Sequence, residues 1–94
     1  MTGKSLIIGY DLRRPGQNYD SLIKQIKELG SWWHGLDSTW IIKTNQTATQ
    51  IRDVLRQHID SNDRLLVAEL TGNAAWTGSM SDTAAKWLRE DLNR

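Results

Sequence analysis

Ser31-Trp32-Trp33-His34-Gly35-Leu36-Asp37-Ser38-Thr39-Trp40-Ile41-Ile42-Lys43 is the stretch on which the fold turns. Its first half is aromatic at Trp32-Trp33, and its second half is aromatic and β-branched at Thr39-Trp40-Ile41-Ile42. Gly35-Leu36-Asp37-Ser38 between them reads as a tight turn or a bulge joining two strands. One long bent strand is the less favoured alternative. On the N-terminal side, Leu22, Ile23, Ile26 and Leu29 recur at helical spacing from Asn18 or Asp20, with Gly30 as the stop. Before that helix, Ser5-Leu6-Ile7-Ile8-Gly9-Tyr10-Asp11-Leu12 is short and apolar and ends in Arg13-Arg14-Pro15-Gly16, as a buried central strand and turn would. On the C-terminal side, Thr47 and Gln50 fit a capping box. They open a helix with Ile51, Val54, Leu55 and Ile59 on one face. Asp60 to Asp63 is a turn, Leu65 to Leu70 a strand, and Thr71-Gly72-Asn73 closes it.

The two halves repeat each other. Leu6-Ile7-Ile8, a helix and Trp32-Trp33 parallel Trp40-Ile41-Ile42, a helix and Leu65-Leu66-Val67. Two tandem βαβ units predict a ferredoxin-like α+β domain, βαββαβ. Right-handed crossovers then give an antiparallel sheet of order 4-1-3-2 with both helices on one face. A chain of 94 residues is a single domain, 1–94, with no room for two cores. Its C-terminal extension, 73–94, holds a short helix from about Ser81 with Ala84, Trp87, Leu88 and Leu92 apolar, expected on a sheet edge or on a partner subunit.

Composition removes several function classes. Cysteine is absent, so disulfides and thiolate metal sites are excluded. No apolar run approaches the roughly 20 residues that span a bilayer. Met1 to Ser5 runs straight into a strand without a signal-peptide core, so a cytoplasmic protein with no membrane partner is expected. Twelve basic and 11 acidic side chains leave a net charge of +1, so any basic patch must be local. Five Trp, two Tyr and no Phe are the unusual feature. The indoles should mark the core, an interface or a base-stacking surface.

The predicted topology carries Tyr10, Asp11, Arg13 and Arg14 to one end of the sheet with His34, Asp37, Ser38 and Thr39, and with Asp63 and Arg64. Asp11, at the end of an apolar strand, could bind Mg²⁺ together with a symmetry mate, or merely cap the turn or pair with a neighbouring arginine. His34 could act as a general base, or be structural, as a lone strand-end histidine more often is. Ser38 and Thr39 could offer hydroxyls to phosphate beside a stacking indole, or form a bulge with Trp40 in the core. Trp32 and Trp33 are adjacent and therefore face opposite sides. One can be core while the other, with Trp33 a candidate, meets a ligand. Arg13-Arg14 is the best small anion site. No P-loop, dinucleotide fingerprint, nucleophile elbow or HExxH is present.

The strand Leu6 to Leu12 with Pro15-Gly16, Trp32-Trp33-His34, Ser38-Thr39-Trp40, Ile51-Arg52-Asp53 and Asp60 to Leu66 resembles the small bacterial and phage proteins labelled SinR family. The likeness covers about Lys4 to Leu92. More distantly, Tyr10-Asp11 ending the first strand resembles the small CRISPR-associated adaptation nucleases and VapD-type ribonucleases. That resemblance implies a cytoplasmic, ferredoxin-like homodimer in which Asp11 supports Mg²⁺-dependent phosphodiester cleavage. The expectation is a nuclease-like homodimer that binds RNA, DNA or a cyclic oligonucleotide, with Asp11 and His34 catalytic and Tyr10, Arg13, Arg14, Ser38, Thr39 and Trp33 around the phosphate. The alternatives are a non-catalytic nucleotide binder and a protein-interaction module of a phage-defence or toxin–antitoxin system.

Overall fold

The computed structural model describes residues 3–12, 19–71, 74–78 and 80–92. The elements run β1 (Lys4–Asp11), α1 (Asp20–Glu28), β2 (Ser31–Leu36), β3 (Thr39–Thr44), α2 (Ala48–Leu55) with a 3₁₀ turn behind it (Arg56–His58), β4 (Arg64–Glu69) and α3 (Asp82–Glu90). The strands pair antiparallel in the order β2-β3-β1-β4. Counted from the opposite edge, this is the predicted 4-1-3-2.

Period-two alternation divides the sheet into two faces. Leu6, Ile8, Trp40 and Ile42 point to the helix face, where Leu22 and Ile26 of α1 and Ile51 and Leu55 of α2 complete a fully buried core. The capping box opens α2 as the sequence predicts, with the Gln50 amide donating to Thr47 Oγ1 at 3.1 Å and the Thr47 amide donating to Gln50 Oε1 at 2.9 Å. Both features expected of the central stretch occur. Asp37-Ser38 is a two-residue turn between paired Leu36 and Thr39, and a bulge shifts the register between Trp33 and Leu36.

The second face is covered by the tail. Leu88 and Leu92 pack on Trp33 and Ile41, with Ile7, Met80, Ala84 and Trp87 around them. Hydrogen bonds hold it down, among them Trp33 Nε1 to the Ala84 carbonyl (3.0 Å), Trp87 Nε1 to Ser31 Oγ (3.1 Å), and Ser5 Oγ to the Leu92 carbonyl. The tail therefore packs against the edge strand β2 and spreads from it over the face of the sheet. The apolar side of β1 and β3 left open by α1 and α2 is what draws it there.

Gly30 turns the chain from α1 into β2. A β-carbon at this position would run into the backbone carbonyl of Lys43. Backbone cannot swing aside as a side chain can. Gly30→Ala is expected to lower unfolding free energy by about 1–3 kcal/mol, read as the urea midpoint; an unchanged midpoint would show that the α1–β2 junction yields. Among the described residues no helix is long and apolar enough to cross a membrane.

Candidate functional site

The helix face carries a row of aromatic and basic side chains at the hairpin end of the sheet. Trp40 is 1% exposed, so its indole N–H needs a partner; it donates to the Tyr10 hydroxyl at 3.0 Å. The His34 imidazole lies flat on the Trp40 ring, with centroids 3.8 Å apart and planes 9° from parallel. His34 Nε2 is 3.0 Å from the Asp37 carbonyl oxygen. A carbonyl only accepts, so Nε2 carries the hydrogen, which in the neutral ring leaves the lone pair on Nδ1. The bulge after Trp33 and the tight turn at Asp37-Ser38 together bring that carbonyl within reach.

Trp32 continues the row. Its ring is 5.4 Å from that of Trp40, tilted by 59°, and the residue is 41% exposed. The Lys27 ammonium of α1 lies 5.0 Å from the Trp32 centroid, a cation–π contact. Beyond the β2 edge, a recess of about 220 Å³ lies between this strand and the start of α3, lined by Trp32, Trp33, His34, Ser81, Thr83 and Trp87 among others. Indole, imidazole and hydroxyl groups thus border one cleft, and the Lys27 ammonium stands over the ring of its Trp32. That combination can stack a planar ring and bind an anion beside it.

Asp11 belongs to the other face. The alternation that turns Leu6, Ile8 and Tyr10 toward the helices turns Ile7, Gly9 and Asp11 away from them. Asp11 is exposed and stands opposite Arg64 in the β1–β4 register. A recess of about 280 Å³ runs beside it along Gly9, Tyr10, Arg64, Leu65 and Leu66, and a β-carbon on Gly9 would meet nothing there. Thr39 also faces this side, where it joins Leu36, Ile41 and Trp76 around a groove of about 340 Å³. Ser38 is exposed in the turn, its carbonyl accepting the Tyr10 amide at 3.1 Å.

The predicted neighbourhood is therefore divided. Tyr10 and His34 meet at Trp40; Asp11 and Thr39 lie across the sheet from them. Trp33 is 4% exposed with its N–H spent on Ala84, so it is a core residue, and the indole that meets solvent is Trp32. Arg13 and Arg14 lie outside the described residues. Asp63, which the topology also sends to this end, is structural: its carboxylate accepts the Tyr19 hydroxyl at 2.9 and 3.1 Å and the Asp60 amide at 2.8 Å. Among the described residues, no three His, Asp or Glu side chains are grouped for a metal ion. Asp11, one carboxylate facing a guanidinium across the ladder, is not by itself the donor set of a resident Mg²⁺. The packing of α1 on β2 is what places Lys27 over an indole of the next strand.

No protein-family model matches the chain, and no solved structure matches it at a significant level.

Proposed function

We propose that the protein binds nucleotides or short single-stranded nucleic acid at the rim formed by Trp32, His34 and Lys27. The observation that carries this reading is a 41% exposed indole with an ammonium 5.0 Å from its ring centre. A nucleobase has a π-face of the same kind, and base–aromatic stacking contributes about 1–3 kcal/mol per base. Lysine sits on a flexible four-carbon stem. When a base takes the ring, the ammonium can move to the phosphate next to it. His34 Nδ1 then offers an acceptor to a sugar hydroxyl or a base N–H. A net charge of +1 favours a mononucleotide, a cyclic dinucleotide or a short oligonucleotide over a long polyanion, because backbone affinity grows with the number of cationic contacts.

A second reading is a nuclease-like homodimer in which Asp11 supports Mg²⁺-assisted phosphodiester hydrolysis. It is supported by the exposed Asp11 and Arg64 beside the open recess at Gly9. Here Arg64 would neutralise phosphate charge, and an ion would be held by Asp11 jointly with phosphate oxygens. One experiment separates the readings: the protein is incubated with RNA, DNA and cyclic dinucleotides, with and without Mg²⁺, and followed by thermal shift and mass spectrometry. Binding at the aromatic rim predicts thermal protection without product and without a metal requirement. Product formation that disappears in Asp11→Ala would replace it with the hydrolytic reading.

A further inference from the structure

The two edges of the sheet differ in how they are protected. The β2 edge carries a bulge, its Ser31 hydroxyl holds the Trp87 indole, and α3 packs against it. Bulges and covering elements are the usual means of blocking strand addition. Among the described residues β4 shows no bulge, and the helix that packs on it, α2, does so from the core face. The six residues of β4, Arg64 to Glu69, contain no proline or glycine and pair with β1 without a register shift. Leu66 on this strand is 65% exposed, more than any other large hydrophobic residue described.

One hydrogen bond tells which backbone groups point outward. The Leu70 amide donates to the Ser5 carbonyl at 2.8 Å, which makes Ser5 and Leu70 a bonded pair of the antiparallel ladder. Bonded and non-bonded pairs alternate. Ile7–Ala68, Gly9–Leu66 and Asp11–Arg64 are therefore bonded within the sheet. Leu65, Val67 and Glu69 turn their N–H and C=O groups to the open edge.

We infer that β4 pairs antiparallel with β4 of a second copy of this chain, centred on Val67, so that two four-stranded sheets become one. In this register Val67 faces its own mate, and Leu65 of each copy faces Glu69 of the other. All three outward-turned residues then exchange backbone hydrogen bonds. Leu66 faces the other copy's Ala68 on the second face. Charge also matches across the seam. Glu69 lies on the helix face, since it pairs with Leu6. On that face Arg52 borders a recess of about 180 Å³ together with Leu65 and Val67. Glu69 of one copy, set opposite Leu65 of the other, is thereby brought beside Arg52, and the two-fold axis makes the ion pair twice. Arg52 grips Asp53 through Nε (3.1 Å) and Nη2 (2.8 Å) on a single oxygen, which leaves further guanidinium donors for the second carboxylate.

The assembly has a consequence for the second functional reading. Asp11 lies at the Arg64 end of the strand, so the two copies of Asp11 stand roughly 25 Å apart, from strand rise and spacing. No metal ion is shared between them. Each rim works within its own chain.

Sedimentation velocity of the whole chain tests this, and because it reads mass, its outcome is separate from that of the ligand assay. The native chain should sediment as a dimer at high micromolar concentration. Arg52→Glu should weaken dimerisation about tenfold or more, and adding Glu69→Arg should restore it. Val67→Pro should be a folded monomer by near-UV circular dichroism, because the amide it removes points away from β1. A native monomer throughout, a dimer indifferent to both single variants, or an unfolded Val67→Pro chain would each overturn the inference.

Discussion

Replacing Trp40 by alanine is expected to cost about 3–5 kcal/mol of stability, enough to unfold much of a domain whose total is about 5–15 kcal/mol. Trp40 is 1% exposed on a central strand and belongs to the cluster of Leu6, Ile8, Leu22, Ile26, Ile42, Ile51 and Leu55. Removing the indole takes away the largest side chain in that layer and leaves a cavity between sheet and helices that the rigid strands cannot close. It also takes the floor from beneath His34 and the flank from Trp32. Trp40→Phe is the informative companion. It retains most of the ring and its stacking surface but loses the N–H to Tyr10, and should cost about 1–2 kcal/mol. Urea unfolding of the two variants separates volume from hydrogen bonding. Equal losses would mean that the Trp40–Tyr10 bond, and not packing, dominates.

Trp32→Ala is expected to behave in the opposite way: little change in stability and a large loss of ligand. Trp32 is an edge-strand residue with 41% of its surface in water, so truncation removes only part of a buried contact. If a base stacks there, the loss is about 1–3 kcal/mol per base, a weakening of about fivefold to 150-fold. Lys27→Ala should weaken binding less, and mainly at low salt, since its contribution is a screened charge. Titration calorimetry with the ligand found in the panel measures both. A Trp32→Ala protein that binds as the native one does would remove the aromatic rim from the account.

Most of the scaffold was legible because its signals are local. The Thr47–Gln50 box, Leu22 and Ile26 at helical spacing and the break between strands within Gly35 to Ser38 each report on a few neighbouring residues, and each lies in the stretch where the sequence reading put it. The quasi-repeat supplied the strand order. What did not follow was the side of the sheet on which each rim residue sits. Adjacent Trp32 and Trp33 had to face opposite ways, but which one was core depends on the β2–β3 register, which pairs Trp33 with Ile41 and Trp32 with Ile42. The same alternation separates Asp11 from Tyr10 and so from His34, although all three were correctly sent to one end. Residues that converge along the strand axis need not converge across the sheet. The seat of the tail was only partly legible for a related reason: the apolar character of Leu88 and Leu92 shows that α3 is buried, while the surface that receives it is made by Trp33 and Ile41, far away in the chain.

In the proposed function the aromatic rim on the helix face recognises the ligand, while Asp11 stands on the far side of the sheet. Titrating Trp32→Ala and Asp11→Ala side by side with the same nucleotide in the presence of a chelator tests it most directly. Affinity should fall at least about fivefold in Trp32→Ala and stay within about twofold of native in Asp11→Ala. The reverse pattern, with Asp11→Ala losing the ligand and Trp32→Ala keeping it, would contradict the account.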